Sequence, residues 1–170
     1  MSYLSGSLVK GLLLATLIVA LIMGVLYKDF KIVFISILPN VIPLILIAAV
    51  MGYCGINLKI TTAIIFTIAF GIAVDDTIHF MSKFKLELNK GKSKLYALKR
   101  SYLSTGRAIV LTSLILCSGF LLLVFSEFLG TVYMGLMISI TLFSAVIADL
   151  YLLPLLLLYF YSPKARHKKE

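Results

Sequence analysis

The sequence predicts an all-α integral membrane protein, a five-helix transmembrane bundle, on three observations. Hydrophobic residues make up 61% of the 170, and mean hydropathy is +1.09, against about 45–50% apolar in ordinary soluble domains. The apolar residues gather in five runs, at about 8–27, 32–51, 60–82, 107–126 and 133–161. Each reaches the ~20 residues that a helix needs to cross hydrocarbon. None of the runs alternates with period two, so a barrel of strands is excluded, and the backbone amides must be bonded inside helices. The whole of 1–170 reads as a single transmembrane domain without internal repeats.

The net charge of +9 is distributed by topology. Lys28 and Lys31 fall in the first connection between spans. Lys83, Lys85, Lys90, Lys92, Lys94, Lys99, Arg100 and Arg107 fall in the third, and Lys164, Arg166, Lys168 and Lys169 in the tail. With five spans these segments share one side, which leaves only Lys10 and Lys59 elsewhere. The positive-inside rule then puts the N-terminus outside and the C-terminus in the cytoplasm. Attraction to anionic lipid accounts for the basic charge, so membrane lipids are expected partners and nucleic acid is not.

The elements follow in order. Lys10 precedes the first apolar run, but that run is longer than a signal-peptide core and has no small-x-small cleavage pattern, so it reads as a retained span. Lys28-Asp29-Phe30-Lys31 closes a hairpin to the second span. There Pro39 and Pro43 lie about one turn apart, and the carbonyls of Ile35 and Pro39 lose their helical partners. Asn40 is placed to satisfy one of them. Two readings stand: a hinge at Pro39 and Pro43, or prolines of the kind that membrane helices tolerate. The second connection, 52–59, is too short to hold an outer domain. Cys54 in that turn and Cys117 inside the fourth span differ too much in depth to pair.

The third span carries Gly71-Ile-Ala-Val-Asp-Asp-Thr-Ile-His-Phe80. An ionisable group within a span costs ~2.5–3.5 kcal/mol on insertion scales, and such groups face protein or a water-filled path. Asp75 lies ~10 Å from the inner end at 1.5 Å per residue. Thr67, Gly71, Asp75 and His79 form one stripe at four-residue spacing, and Gly71 leaves room for a neighbouring helix. Asp76 lies about 100° round the helix. The inner segment 83–107 is broken at Gly91. Ser93 can cap its second half, about 93–104, where Leu95, Leu98 and Tyr102 share a face. This predicts a cytoplasmic amphipathic helix on the inner leaflet, with a solvated basic connector as the alternative. Thr112 and Ser113 enter the fourth span ~8 Å from the same side. Asp149 lies near the middle of the fifth, one turn after Ala145, so all these polar groups can meet in one layer.

A carboxyl group screened from water exchanges its proton nearer working pH than one in solution. Several of them at one level suit a proton relay. A permanently protonated acid in an interhelical hydrogen bond is the structural alternative. An intramembrane aspartyl protease with Asp75 and Asp149 is disfavoured, because Ile-Ala-Val stands where that family has Gly-x-Gly before the acid. A metal site on Asp75, His79 and Asp149 lacks a further strong ligand beyond Asp76.

Further motifs follow in the chain: Ser104-Thr-Gly-Arg-Ala-Ile-Val-Leu-Thr-Ser113, Gly119-Phe-Leu-Leu-Leu-Val-Phe-Ser126, Met134-Gly-Leu and Ala148-Asp-Leu-Tyr-Leu-Leu-Pro154. With GIAVDDTIHF and Ile37-Leu-Pro-Asn-Val-Ile-Pro43, this order resembles the C-terminal membrane half of the resistance-nodulation-division (RND) superfamily. The similarity is to its MMPL-type lipid-exporter-like branch, whose bundle is like a sterol-sensing domain. The resemblance implies a secondary transporter of the bacterial cytoplasmic (inner) membrane. It would be multi-pass, not an enzyme, without cofactors, and powered by a proton gradient. It makes Asp75 the proton carrier, with Asp76, at a position often Tyr in relatives, beside it in the relay. His79, Thr112, Ser113 and Asp149 become a supporting polar network, with Asp149 structural or auxiliary. Gly71, Gly106 and Gly119 become helix-packing positions. An Asp replaces the lysine usual in the multidrug branch, which implies lipid-like or other hydrophobic cargo.

Full members of that superfamily have two membrane halves, each with a large outer domain, and their Gly-x-x-x-Asp helices lie side by side. This chain matches five of about twelve spans. It is therefore expected to be a fragment, or a half that assembles with a missing N-terminal half, a partner subunit or a second copy, and to transport nothing alone. The rival function is a sterol-sensing-like bundle that binds lipid or acts as a scaffold without pumping.

Overall fold

The computed structural model describes residues 2–27, 30–56 and 60–161. Lys28, Lys59 and the basic residues from Lys164 to Lys169 lie outside the described residues. Helix α1 covers Ser2–Tyr27, α2 Phe30–Tyr53 and α3 Ile60–Asn89. Helix α4, Lys94–Ser101, continues through a π-helical turn, Tyr102–Gly106, into α5, Arg107–Leu121, and ends in a 3-10 turn, Leu122–Phe125. Helix α6, Leu129–Ile147, continues through a second π-turn, Ala148–Leu152, into α7, Leu153–Phe160. Five of the resulting stretches are long and apolar enough to cross a membrane, and no strand occurs among the described residues.

Helices α2, α3 and α6 pack on one another at the centre. Helix α1 lies against α2 and α3, and α5 against α6. The outer positions of α1 and α5 leave both largely exposed, whereas the central spans are about half buried. Two apolar clusters hold the centre. One gathers Met23, Ile32, Phe80, Phe84, Leu153 and Leu157, and the other Ile47, Ile65, Ile138 and Leu142. In lipid such contacts hold helices by close packing rather than by expulsion of water.

Among the glycines, the closest approach is between α6 and the end of the α5 span. A Cβ on Gly135 would stand 2.5 Å from the Phe120 carbonyl oxygen and 2.8 Å from Leu123 Cβ. Cys117 and Ser139 bind the same two helices reciprocally. The Cys117 thiol reaches the Ser139 carbonyl at 3.7 Å, and the Ser139 hydroxyl reaches the Cys117 carbonyl at 3.4 Å. Both Cys54 and Cys117 are free thiols.

Helix α3 runs seven residues beyond the expected end at Ser82, to Asn89. Its extension is held by Glu87, buried between Lys83 at 3.7 Å and Lys90 at 3.0 Å. Gly91, with φ +76°, ends it, as glycine does at a left-handed helix stop. Ser93 then caps α4 by accepting from the Tyr96 amide at 3.4 Å. The amphipathic segment begins where expected, but it is no separate helix. It packs along α3, touches α7 through Lys94 Nζ donating to the Leu158 carbonyl at 2.6 Å, and joins the fourth span without a break.

The two π-turns meet. Leu150 Cδ2 lies 3.2 Å from where a Gly106 Cβ would stand. The second π-turn has a local cause. Pro154 lacks the N–H that the Leu150 carbonyl would accept, and its ring crowds the preceding turn, so the helix widens there. Helix α2, by contrast, stays helical through Pro39 and Pro43. Asn40 does not serve the carbonyl of Ile35 or Pro39. Its amide donates to the Ser36 carbonyl one turn back, at 2.8 Å.

Candidate functional site

Helix α3 presents two chemically different faces. Thr67, Gly71, Asp75 and His79 do fall on one stripe, and the whole stripe is exposed. The side chains of Asp75 and His79 are 70% and 68% exposed, with carboxylate and imidazole 3.5 Å apart. The i, i+4 spacing on one helix sets that contact. Asp76 is half buried to one side. Across from it, α5 contributes Thr112, whose hydroxyl lies 3.0 Å from both the Ala108 and the Ile109 carbonyl of its own helix. Asp75, Asp76, His79 and Thr112 line a groove of about 550 Å³ between α3 and α5, floored by Ile72, Ile109 and Leu116.

The opposite face holds a sealed polar cluster. Thr77 is fully buried, and Asn40 and Asp149 are 2% and 1% exposed. The Thr77 hydroxyl lies 2.7 Å from Asp149 Oδ1 and 3.1 Å from Asn40 Oδ1. Three spans therefore meet at Thr77: α2 through Asn40, α3 itself, and the last span through the π-turn that carries Asp149. These residues stand between the two apolar clusters along each helix, so the polar layer divides the core. Among the described residues, Asp149 Oδ2 and the Ser36 hydroxyl have no hydrogen-bond partner.

The expected single layer is thus two sites. Asp75, Asp76, His79 and Thr112 share the groove, whereas Asp149 bonds Thr77 on the far side of α3. Ser113 is buried and is not among the groove residues. Gly106 is a packing position. Gly71 and Gly119 have nothing within 4 Å of a would-be Cβ inside this chain, and the tightest approach is at Gly135 instead. Sequence reasoning missed Thr77 because a threonine costs little in a span. Its one signal was its place two residues after Asp75, about 200° round the helix. No group of three or more His, Cys, Asp or Glu able to hold a metal occurs among the described residues.

Five helices long and apolar enough to cross a membrane, with a polar groove beside a central one, fit a multi-pass membrane protein. The model of the MMPL family matches residues 1–169, and the chain belongs to that family, with an MMPL/RND-type membrane domain. No curated protein matches it.

Proposed function

We propose that the chain is the membrane module of a proton-coupled exporter of lipid or other hydrophobic cargo in the bacterial inner membrane. Asp75 and Asp76 are its relay, supported by His79 and Thr112. The N-terminus is outside and the C-terminus cytoplasmic. One observation carries the reading: a central span lines a groove with two acids and an imidazole, within a segment where charge facing lipid costs ~2.5–3.5 kcal/mol per group. That face requires protein or water against it. An N-terminal membrane half, a partner subunit or a second copy of the chain supplies the cover, and the proton gradient the energy. Membership in a transporter family supports the transport half of this reading.

The test is Asp75→Asn in the protein together with its partner half. Energy-dependent export should fall to background while the protein still folds and inserts. Export at the parental rate would overturn the relay. Lipid binding that persists without any pH dependence would favour the scaffold reading instead.

A further inference from the structure

We infer that Asp149 holds a proton in this conformation, and that this proton latches α2, α3 and the last span together through Thr77. The count of hydrogens decides it. Thr77 has one hydroxyl hydrogen, yet its oxygen lies within hydrogen-bond reach of two others, Asp149 Oδ1 and Asn40 Oδ1. The Asn40 amide is not free to turn and offer its nitrogen. Turned, it would set its oxygen 2.8 Å from the Ser36 carbonyl oxygen, acceptor against acceptor. With an ionised Asp149, the two contacts at Thr77 have only one hydrogen between them. With a proton on Asp149 Oδ1, the acid donates to Thr77, Thr77 donates to Asn40, and Asn40 donates to Ser36, with a hydrogen in every contact.

A second observation agrees. Asp149 Oδ2 is buried without a partner among the described residues. As half of a carboxylate it would be an unpaired buried charge, costly enough that such groups neutralise instead. As the carbonyl oxygen of a neutral acid it is an under-used acceptor, a far smaller penalty. Among the described residues no basic group pairs with Asp149. Helix α2 presents Asn40 and Ser36. On α3 the titratable side chain beside Thr77 is Asp76, itself an acid.

The latch reaches α2 at Asn40, between Pro39 and Pro43, where the backbone has lost two of its own hydrogen bonds. Asp76 is the residue next to Thr77, so one turn of α3 joins the groove to the latch. Removing the proton from Asp149 leaves two oxygens competing for one hydrogen and a charge in an apolar core, and α2 is released at its weakest segment. This inference rests on hydrogen bonds within the chain and stands whether or not Asp75 is the relay.

Infrared absorption of the purified protein in an ester-free detergent at neutral pH reads the acid directly, through the carbonyl stretch of a protonated carboxyl group. The expected result is a band that Asp149→Asn removes and that Asp75→Asn leaves in place. Asp149→Asn is expected to keep the fold, because the new amide donates to Thr77 where the acid did. Thr77→Val should move the band to higher frequency and Thr77→Ser should not. That pair reads the same bond if Asp149→Asn does not fold. Identical spectra for parent and Asp149→Asn would overturn the inference, as would a band indifferent to Thr77→Val.

Discussion

Asp75 and Thr77 sit two residues apart on one helix in opposite surroundings. Asp75 stands out from the bundle with its carboxylate 70% exposed, beside His79. Thr77 is sealed at the meeting of three spans. The exposed site is costly in lipid and inexpensive in protein, so it makes sense only with a neighbour. The buried site draws its partners from within the chain. On the proposed function the second stabilises the chain and the first serves transport, and substitutions should sort accordingly.

The largest separation is expected between export and folding at Asp75. Asp75→Asn should take export to background and leave the unfolding midpoint of the purified chain unchanged, as surface substitutions usually do within about 0.5 kcal/mol. A variant that lost both together would place Asp75 in the fold and erase the contrast between the two faces.

Next come changes that break the bundle itself. Gly135→Val places methyl groups against the Phe120 carbonyl and Leu123, where even a Cβ is too close. Backbone cannot yield as a flexible side chain does. The cost should reach or exceed the ~1–3 kcal/mol typical of overpacking, seen as a lower thermal midpoint or failure to insert. Thr77→Val keeps the shape and removes the hydroxyl, which leaves Asn40 and Asp149 each without that partner. About 1–3 kcal/mol should be lost, measured by denaturant unfolding in micelles. An unchanged midpoint would mean that the three spans are not joined there.

What the sequence made legible follows the range of the physics. The five spans are local, since a run of apolar residues needs no knowledge of its neighbours. The Thr67–Gly71–Asp75–His79 stripe is equally local, because four-residue spacing puts side chains on one face of any helix. The start of α4 was readable from Gly91 and Ser93 for the same reason. The convergence of Asn40, Thr77 and Asp149 was not, because it depends on the rotation of three helices about their own axes. That rotation is set by close packing such as Gly135 on Phe120. The continuity of α4 into α5 escaped as well. The change from polar to apolar residues near Arg107 marks a change of surroundings, not an end of helix. Its π-turn leaves no proline signature of the kind that Pro154 gives the other.

The smallest effect bears most directly on what covers the exposed face. Gly71 lies on the stripe one turn before Asp75, with nothing within 4 Å of a would-be Cβ. In an isolated helix such a glycine is a liability, worth roughly 0.5–1 kcal/mol less than alanine. Gly71→Ala should therefore stabilise the chain alone by a few tenths to about 1 kcal/mol, since no contact of its own is disturbed. In the assembled transporter the sign should reverse. A partner helix seated over Gly71 would meet the added methyl group, so association should weaken and export fall with it. Midpoints of the chain with and without its partner, compared for parent and Gly71→Ala, measure that sign directly. A gain in both would mean that the stripe faces water or lipid at Gly71, and that the cover begins only at Asp75.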